Sequence, residues 1–322
     1  MNAIVTGVGG YVPRKILTNE DLSKLVDTTD EWIMSRIGIK KRHILDKSIG
    51  CSFMAIEAVK DLLKKNNVTP DSVDLIMVAT STPDYPLPST ASLICKSLGL
   101  KNAFAFDIEA ACCGFLYLLE MSAAFIKLNR YKRIIIVGAD KMSSLVDYKN
   151  RNICPIFGDG AGAFMIEPGE GNGIIDSYLR TDGIGFPYLH VKYGGSAYPK
   201  IIKDFDETTL YLHQDGKTVF KHAIYSMTES CKEIIKRNNL KINDIDWIVP
   251  HQANIRIIES VANSLNVPYE KVLTNIKEYG NTSAATLPLC VWTFESKINK
   301  GDNLIFTAFG AGFCWGAVYI KW

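Results

Sequence analysis

The stretch Lys60-Asp-Leu-Leu-Lys-Lys-Asn-Asn67, followed by Val73-Asp-Leu-Ile-Met-Val78, decides the fold because it recurs in the second half of the chain. There it reads Lys232-Glu-Ile-Ile-Lys-Arg-Asn-Asn239, followed by Ile245-Asp-Trp-Ile-Val249. Each copy predicts a helix whose last turn ends near Asn-Asn, then a short turn and a buried strand. The spacing between the two copies, which start at Lys60 and Lys232, is too long for the repeat unit of a solenoid, so it indicates a duplicated domain.

The repeat also predicts which residues correspond between the halves. In the same register, Phe104-Ala-Phe-Asp-Ile108 and the turn to Cys112 match Val272-Leu-Thr-Asn-Ile276 and the turn to Asn281. The repeat therefore aligns a cysteine in one half with an asparagine in the other.

The length of the chain fits two pseudo-symmetric α/β halves that share a core. We expect residues 1–170 to form an N-terminal half that carries a nucleophilic cysteine. We expect residues 171–322 to form a C-terminal half that carries a histidine and an asparagine.

The composition excludes some classes of partner. The net charge of +2 lacks the large positive excess with which proteins track phosphates, so we expect no nucleic-acid partner. No apolar run reaches the length of about 20 residues that spans a bilayer. We therefore expect a soluble protein with no membrane partner.

The eight cysteines lie within apolar strands and helices of a long chain, a pattern that indicates a reducing cytoplasm. Cys112 and Cys113 are the only close pair, and adjacent cysteines suit neither a tetrahedral metal site nor an easy disulfide. We therefore expect a cytoplasmic protein that holds no metal.

Cys112 is the candidate nucleophile. It precedes an apolar helix predicted from about Gly114 to Leu128, which should be buried at the centre of the molecule. The N-terminus of that helix should favour the thiolate form of Cys112. The alternative is a small core residue, a common role for buried cysteines, and we assign that role to the others: Cys51, Cys95, Cys154, Cys231, Cys290 and Cys314.

His251 and Asn281 are the candidate partners of the cysteine. His251 is the only histidine that directly follows a predicted buried strand, at the point matched by Ser81 in the first half. Asn281 follows a glycine and precedes a helix of small residues, where an N-cap is the alternative role. Lone histidines are more often core or surface residues, which is the role expected for His43, His190, His213 and His222.

Two glycine-rich segments complete the pattern. The turn in Phe309-Gly-Ala-Gly-Phe-Cys-Trp-Gly316 lacks the Lys-Ser/Thr of a phosphate loop, so it suits a backbone N–H that holds a developing oxyanion. Phe157-Gly-Asp-Gly-Ala-Gly-Ala163 should let two backbones cross closely. The least regular stretch, from Ser177 to about Asp215, suits a lid or binding loop.

Together these motifs resemble the β-ketoacyl-acyl-carrier-protein synthase III family of thiolase-like condensing enzymes, which starts bacterial type II fatty acid synthesis. The resemblance covers the whole chain, in order and without large insertions. The segments that carry it are Ala111–Phe115, Phe157–Gly162, His251–Arg256, Gly280–Ala284 and Phe309–Gly316.

The resemblance implies a duplicated, five-layered αβαβα fold, a homodimer and a Cys112, His251 and Asn281 triad. It implies an oxyanion hole formed by the N–H groups of Cys112 and Ala311. The residues implied for coenzyme A are Trp32, Arg36, Arg151 and Asn254. Those implied for the carrier protein are Gln252, Ala253, Asn254, Ile255, Arg256 and Lys221. Those implied for the acyl pocket are Leu87 and Phe157.

The implied reaction is the decarboxylative condensation of an acyl-CoA, such as acetyl-CoA, with malonyl-acyl-carrier protein, and it requires no cofactor or metal. Leu87 stands where an aromatic side chain often closes the acyl pocket across the dimer, and Gln214 and Asp215 replace an apolar residue. The acyl chain length and the pathway stay open. The alternatives are a specialised condensing enzyme or acyltransferase of the same fold, and a non-catalytic acyl-CoA-binding paralogue.

Overall fold

A computed structural model describes residues 1–199 and 206–322. The helices are α1 Asn19–Ser23, α2 Asp30–Arg36, α3 Cys51–Lys65, α4 Thr90–Leu98, α5 Gly114–Lys127, α6 Gly216–Arg237, α7 Ile255–Leu265, α8 Ile276–Tyr279 and α9 Thr286–Phe294. The strands are β1 Asn2–Tyr11, β2 Ile16–Thr18, β3 Lys41–His43, β4 Leu75–Ala79, β5 Phe104–Ile108, β6 Ile134–Lys141, β7 Asp159–Gly169, β8 Gly173–Thr181, β9 Leu189–His190, β10 His213–Gln214, β11 Trp247–Pro250, β12 Asn303–Gly310 and β13 Cys314–Lys321.

The helix-and-strand repeat predicted from the sequence is confirmed. Helix α3 ends before Asn66-Asn67 and leads to β4, and α6 ends before Asn238-Asn239 and leads to β11. Asn67 and Asn239 both adopt a positive φ, 51° and 53°. Asparagine tolerates this left-handed conformation better than most residues, which explains why the same dipeptide ends both helices.

The two large sheets have the same strand order and the same strand directions. The first sheet runs β1-β7-β6-β4-β5 and the second runs β8-β13-β12-β11. In each, two antiparallel pairings are followed by a parallel one. Val272 extends the second sheet by a parallel bridge to Ile248, at the place that β5 occupies in the first. The predicted duplication is therefore present in the topology.

The sheets and helices form five layers. Helices α3 and α4 cover the outer face of the first sheet, and α6 and α7 cover the outer face of the second. Helices α5 and α9 lie between the sheets. There Phe115 and Leu287 pack in one core with alternate residues of the strands of both sheets. Along β4, for example, Leu75 and Met77 face this central core and Ile76 and Val78 face the outer one. The predicted αβαβα arrangement is confirmed.

Glycines let the central backbones approach each other closely. A Cβ atom added at Gly138 of β6 would lie 2.2 Å from the carbonyl oxygen of Ala284, and one at Gly310 of β12 would lie 2.9 Å from the nitrogen of Cys112. The expected close crossing in the 157–163 segment is confirmed as well. A Cβ at Gly158 would lie 2.3 Å from the carbonyl oxygen of Tyr279.

The irregular stretch is shorter than the sequence pattern suggests. Strand β8 continues to Thr181, so the irregular stretch starts after that residue and not at Ser177. Part of the predicted loop, residues 200–205, lies outside the described residues. Because β7 ends at Gly169 and β8 begins at Gly173, we propose the short connection between them as the boundary of the two halves.

The helices carry no sign of a membrane span. Across residues 1–199 and 206–322, none combines the length and apolar character needed to cross a bilayer.

Candidate active site

Cys112 lies in a short 3-10 turn, Ala111–Cys113, between β5 and α5. Its sulfur is 3.7 Å from the Ser283 hydroxyl oxygen, which comes from the other half of the chain. Burial raises the pKa of the Cys112 thiol to about 12, and the hydrogen bond between this thiol and Ser283 acts in the opposite direction. Desolvation of the thiol thus opposes the thiolate form that we expected the helix N-terminus to favour.

His251 directly follows β11 and is buried, as expected for a residue that comes straight after a buried strand. Its backbone N–H donates to the carbonyl oxygen of Thr307 at 2.8 Å, which fixes the start of the loop. The ring nitrogen Nδ1 is buried and has no hydrogen-bond partner among the described residues. Burial lowers the pKa of His251 to about 4, so the imidazole is neutral at pH 7.

Asn281 is held in place through its backbone. Its N–H donates to the Ile156 carbonyl oxygen at 2.9 Å, and its own carbonyl oxygen accepts from the Gly158 N–H at 3.0 Å. Its Oδ1 accepts from the Ser283 N–H at 2.8 Å, and its Nδ2 makes no hydrogen bond to any described residue. The alternative role of Asn281 as the N-cap of the following helix is wrong, since α9 starts only at Thr286. The Nδ2 atom of Asn281 is therefore available as a hydrogen-bond donor to a ligand.

The correspondence between the halves differs from the predicted one by a few residues. Each half has a 3-10 turn before its central helix, Ala111–Cys113 in the first and Ser283–Ala285 in the second. The first residue of each turn has a positive φ, 45° at Ala111 and 52° at Ser283. Cys112 therefore corresponds to Ala284 and not to Asn281, because the short helix α8 has no counterpart in the first half and breaks the sequence register.

Cys112, His251 and Asn281 border one cavity of about 960 Å³. Most of its wall is apolar, which suits a ligand with an apolar part. The apolar side chains include Ile37, Met142, Leu145, Ile153, Ile156, Phe157, Leu189, Leu212, Val219, Phe220, Ile257 and Phe309. Ala311, the predicted second oxyanion residue, also borders the cavity.

The residues expected to bind coenzyme A lie at this cavity or beside it. Trp32, Arg36 and Asn254 border it. Arg151 does not, but its guanidinium lies over the Trp32 ring at 5.1 Å and pairs with the Asp27 carboxylate at 2.9 Å. The cation and the indole thus form one surface that a planar adenine ring could contact.

The residues expected to contact a carrier protein divide into two groups. Ala253, Asn254 and Arg256 border the cavity, and Lys221 is exposed on α6. The half-buried Ile255 packs closely on Gly38, where a Cβ atom would lie 2.5 Å from its own Cβ, and its N–H donates to the Ile37 carbonyl oxygen. Ile255 therefore anchors the start of α7.

The prediction for Gln252 is wrong. The side chain is fully buried and donates from Nε2 to the carbonyl oxygens of Pro250 and Leu273. Its Oε1 accepts from the Thr274 hydroxyl and from the N–H groups of Asn275 and Ile276. A side chain with these five bonds ties two loops together and cannot meet a partner protein.

The predictions around the acyl pocket have mixed outcomes. Phe157 borders the cavity, whereas Leu87 does not and is 86% exposed. Gln214 borders the cavity, but Asp215 instead caps α6 by accepting from the Thr218 N–H at 2.9 Å. His190 also borders the cavity, so the sequence placed it wrongly among the residues away from the site.

Sequence reasoning missed two acidic residues near Cys112. Asp140 is fully buried at the end of β6, and Glu109 borders the cavity. Burial raises the pKa of Asp140 despite the hydrogen bonds that it accepts. The sequence did contain a sign of Asp140, because the apolar run Ile134–Val137 is followed by an aspartate within the same strand. A buried carboxylate needs several hydrogen-bond donors, so an aspartate there indicates a polar network.

Comparisons with known proteins agree with this architecture. The family described as 3-oxoacyl-[acyl-carrier-protein (ACP)] synthase III matches residues 106–183, and its C-terminal part matches residues 235–322. The β-ketoacyl-[acyl-carrier-protein] synthase III 2 of Bacteroides thetaiotaomicron is 62% identical over 100% of this chain and 97% of its own length. The β-ketoacyl-[acyl-carrier-protein] synthase III of Porphyromonas gingivalis W83 is 50% identical over the same shares.

The crystal structure of 3-oxoacyl-[acyl-carrier-protein] synthase III from Aquifex aeolicus VF5 has a TM-score of 0.92 to this chain. It is 40% identical in sequence and the match covers 99% of this chain and 100% of that one. The fold is therefore that of the thiolase-like condensing enzymes. Within that class, the chain belongs to the β-ketoacyl-[acyl-carrier-protein] synthase III family.

The buried neutral His251 predicts a specific pH dependence of stability. In the unfolded chain histidine titrates near 6.5, whereas burial lowers the pKa of His251 to about 4 in the fold. Between these values the unfolded state binds the extra proton, so stability is lost as the pH falls through this range. This loss should amount to about 2 kcal/mol between pH 7 and pH 5, measured as the free energy of unfolding in urea.

The His251→Gln variant should lack this part of the pH dependence. A His222→Gln variant, which replaces an exposed histidine on α6, is the matched control. Equal pH dependence in wild type and His251→Gln would contradict a buried neutral imidazole.

Proposed function

We propose that the protein is a β-ketoacyl-acyl-carrier-protein synthase III that condenses an acyl-CoA, such as acetyl-CoA, with malonyl-acyl-carrier protein. The observation that carries this proposal is the meeting of Cys112, His251 and Asn281 in one apolar cavity of a member of this family. A thiol, a neutral imidazole and a free amide N–H supply a nucleophile and two hydrogen-bond donors.

In the first half-reaction Cys112 takes the acyl group. Its sulfur bonds to the thioester carbonyl carbon, the bond from that carbon to the coenzyme A sulfur breaks, and coenzyme A leaves as a thiol with the proton of Cys112. The oxyanion of the tetrahedral intermediate would lie at the N–H groups of Cys112 and Ala311. Burial raises the pKa of this thiol, so in this proposal Cys112 loses its proton during the attack and not before it.

In the second half-reaction His251 and Asn281 hold the malonyl thioester. Loss of carbon dioxide leaves the electron pair of the broken bond on the enolate, whose oxygen accepts hydrogen bonds from His251 and from Asn281 Nδ2. The enolate carbon then bonds to the acyl carbon, and Cys112 leaves as its thiolate, which takes a proton from water. The low pKa of His251 suits this role, since a neutral imidazole can donate a hydrogen bond without giving up the proton.

We propose a cytoplasmic enzyme without metal or redox cofactor. The two thioesters and one proton from water supply every bond change above, so the reaction needs no external electron carrier. The eight cysteines are all free thiols, which is typical of proteins from a reducing compartment.

Two substitutions test the proposed division of labour. Cys112→Ser should abolish acyl-enzyme formation from acetyl-CoA, because a buried hydroxyl ionises far less readily than a thiol. Asn281→Ala should still form the acyl-enzyme but should condense on the order of a hundredfold more slowly with malonyl-carrier protein. Mass spectrometry of the acylated protein and chromatography of the 3-ketoacyl product measure the two steps.

Cys95→Ser, at a half-buried cysteine on α4, is the matched control and should leave both steps unchanged. The proposal fails if Cys112→Ser is acylated at a near wild-type rate. Product analysis with a panel of acyl-CoA starters separates this function from a specialised condensing enzyme, and an unreactive Cys112 would indicate a non-catalytic paralogue.

We propose that the carrier protein docks at the start of α7. Arg256 is exposed there, its guanidinium lies 5.4 Å from the centre of the Phe220 ring, and Lys221 is exposed on the adjacent helix α6. Acyl carrier proteins are acidic, and rim cations mainly set the encounter rate with such partners. This surface borders the cavity through which the substrate arm would enter.

Arg256→Glu should raise the apparent KM for malonyl-carrier protein on the order of tenfold at low salt, with a smaller effect at high salt. The apparent KM for acetyl-CoA should change little. Lys300→Glu is the control, because Lys300 is exposed beside the opposite end of β12. An equal effect of Arg256→Glu on both substrates would place Arg256 in the shared substrate tunnel instead.

We propose that two chains form a homodimer through β5. This strand is the edge of the first sheet, with β4 as its pairing partner, and its first residue Phe104 is 53% exposed. Tyr85 and Leu87, which follow β4, are also exposed apolar side chains. An unpaired edge with apolar side chains beside it suits pairing with the same edge of a second copy, across which Leu87 would reach the partner's acyl pocket.

Phe104→Lys should shift the mass found by light scattering after size exclusion from that of two chains toward that of one. The expected cause is the cost of placing two ammonium groups near each other across a two-fold axis. Leu25→Lys, at another exposed apolar side chain, should leave the mass unchanged. A monomeric wild type would contradict the proposed dimer.

A further inference from the structure

A chain of hydrogen bonds connects the turn that holds Cys112 to the turn that follows Asn281. Glu109 Oε1 accepts from the Ala111 N–H at 3.0 Å and from the Ser81 hydroxyl at 3.1 Å. The Ser81 N–H donates to Asp140 Oδ1 at 2.8 Å, and Asp140 Oδ2 accepts from the Ala284 N–H at 3.0 Å. Thr82 adds a further donor to Asp140 at 2.9 Å.

The two ends of this chain have the same local design. Ala111 and Ser283 both start a 3-10 turn with a positive φ, a conformation that costs free energy for residues other than glycine. In each case the side chain two positions earlier accepts a hydrogen bond from that residue's N–H: Glu109 for Ala111, and Asn281 for Ser283. The side-chain acceptor offsets part of the cost and so keeps the turn in place.

We propose that Glu109 is a positioning residue that orients the Cys112 turn through Ala111 and places a negative charge at the cavity that the thiol borders. The inference rests on the proposed role of Cys112 as the nucleophile. Glu109 corresponds in position to Asn281, so the duplicated fold uses the same backbone contact in both halves. In the second half the residue also presents a donor to the substrate; in the first half it presents a carboxylate to the cavity that contains the thiol.

The position of Cys112 explains why a displaced turn would slow acylation. The Cys112 turn packs so closely on β12 that it cannot move toward this strand. A Cβ atom added at Gly310 of β12 would already lie 3.2 Å from the Cys112 Cβ. The ordered path of the turn therefore decides where the sulfur meets the substrate carbonyl. Small displacements of a reacting group have large effects on rate, because the attacking atom must be aligned with its target.

The charge of Glu109 is one of several that act on the thiol. Burial is the largest effect on the pKa of Cys112 and raises it. The hydrogen bond with the Ser283 hydroxyl lowers this pKa, and Cys314, Asp140 and Glu109 each raise it by smaller amounts. The neutral His251 borders the same cavity. Among the acidic groups, Glu109 is the exposed one, so its charge can be removed without leaving an unpaired group in the core.

Three variants test the proposal. Glu109→Ala removes both the acceptor and the charge, and it should lower the single-turnover rate constant of acylation by acetyl-CoA about tenfold. Its KM for acetyl-CoA should stay near the wild-type value. Glu109→Gln keeps an oxygen that can accept from Ala111 and Ser81, so it should restore the acylation rate to within about threefold. Glu57→Gln, at a half-buried carboxylate on α3 that pairs with Lys60, is the matched control.

The pH profile of Cys112 alkylation by iodoacetamide provides a second readout. Loss of the Glu109 charge in Glu109→Gln should move the profile to lower pH, because a nearby negative charge disfavours the thiolate. This measurement decides the matter even if Glu109→Ala fails to fold, since an unmoved profile in Glu109→Gln would overturn the proposal.

Two kinetic outcomes would also overturn it: wild-type acylation by Glu109→Ala, or an equal loss in Glu109→Ala and Glu109→Gln. Failure of the proposed function is distinguishable from these, because the wild-type protein itself would then form no acyl-Cys112.

Discussion

Two backbone contacts at the centre of the molecule set the geometry on which the site depends. Strand β6 of the first half passes against the Ser283–Ala285 turn of the second at Gly138, and β12 of the second half passes against the Cys112 turn of the first at Gly310. Each turn is therefore supported by a strand from the other half. A side chain at either glycine would move one backbone, and with it the thiol of Cys112 or the amide of Asn281.

The depth of these contacts also sets the electrostatics. Because the turns lie between two sheets, Cys112 and His251 are both desolvated, and each is held in its neutral form. A site without an ion pair does not have to break one when the substrate enters. The charge that develops on a thioester oxygen during reaction then meets oriented N–H donors in a poorly hydrated cavity, where such bonds are strongest.

The sequence predicted the parts of this structure that repeat, because two copies of a helix, an Asn-Asn turn and an apolar strand can be recognised without knowing what they pack against. It also indicated Cys112 and His251, each of which comes after a strand, and Asn281, which comes just after the short helix α8. The prediction of a carrier-protein contact failed for Gln252. The sequence of a polar motif does not reveal whether a polar side chain binds another protein or the backbone of its own chain. It missed Glu109 and Asp140 because their roles arise from contacts between segments far apart in the chain. The predicted pairing of Cys112 with Asn281 was wrong because the second half contains the extra short helix α8. A hydrophobic pattern does not reveal an insertion of this kind.

The matching 3-10 turns have a consequence for how such a site can diversify. Two identical copies of one half, assembled as a symmetric pair, would have to present the same side chain from both turns, since one gene would encode both. A chain that contains both halves is free of this restriction. It can keep one scaffold, with Ala111 and Ser283 in the same unusual backbone conformation, and still present a sulfur from one turn and an amide from beside the other. Covalent duplication thus turns a symmetric framework into two specialised sides of a single reaction chamber.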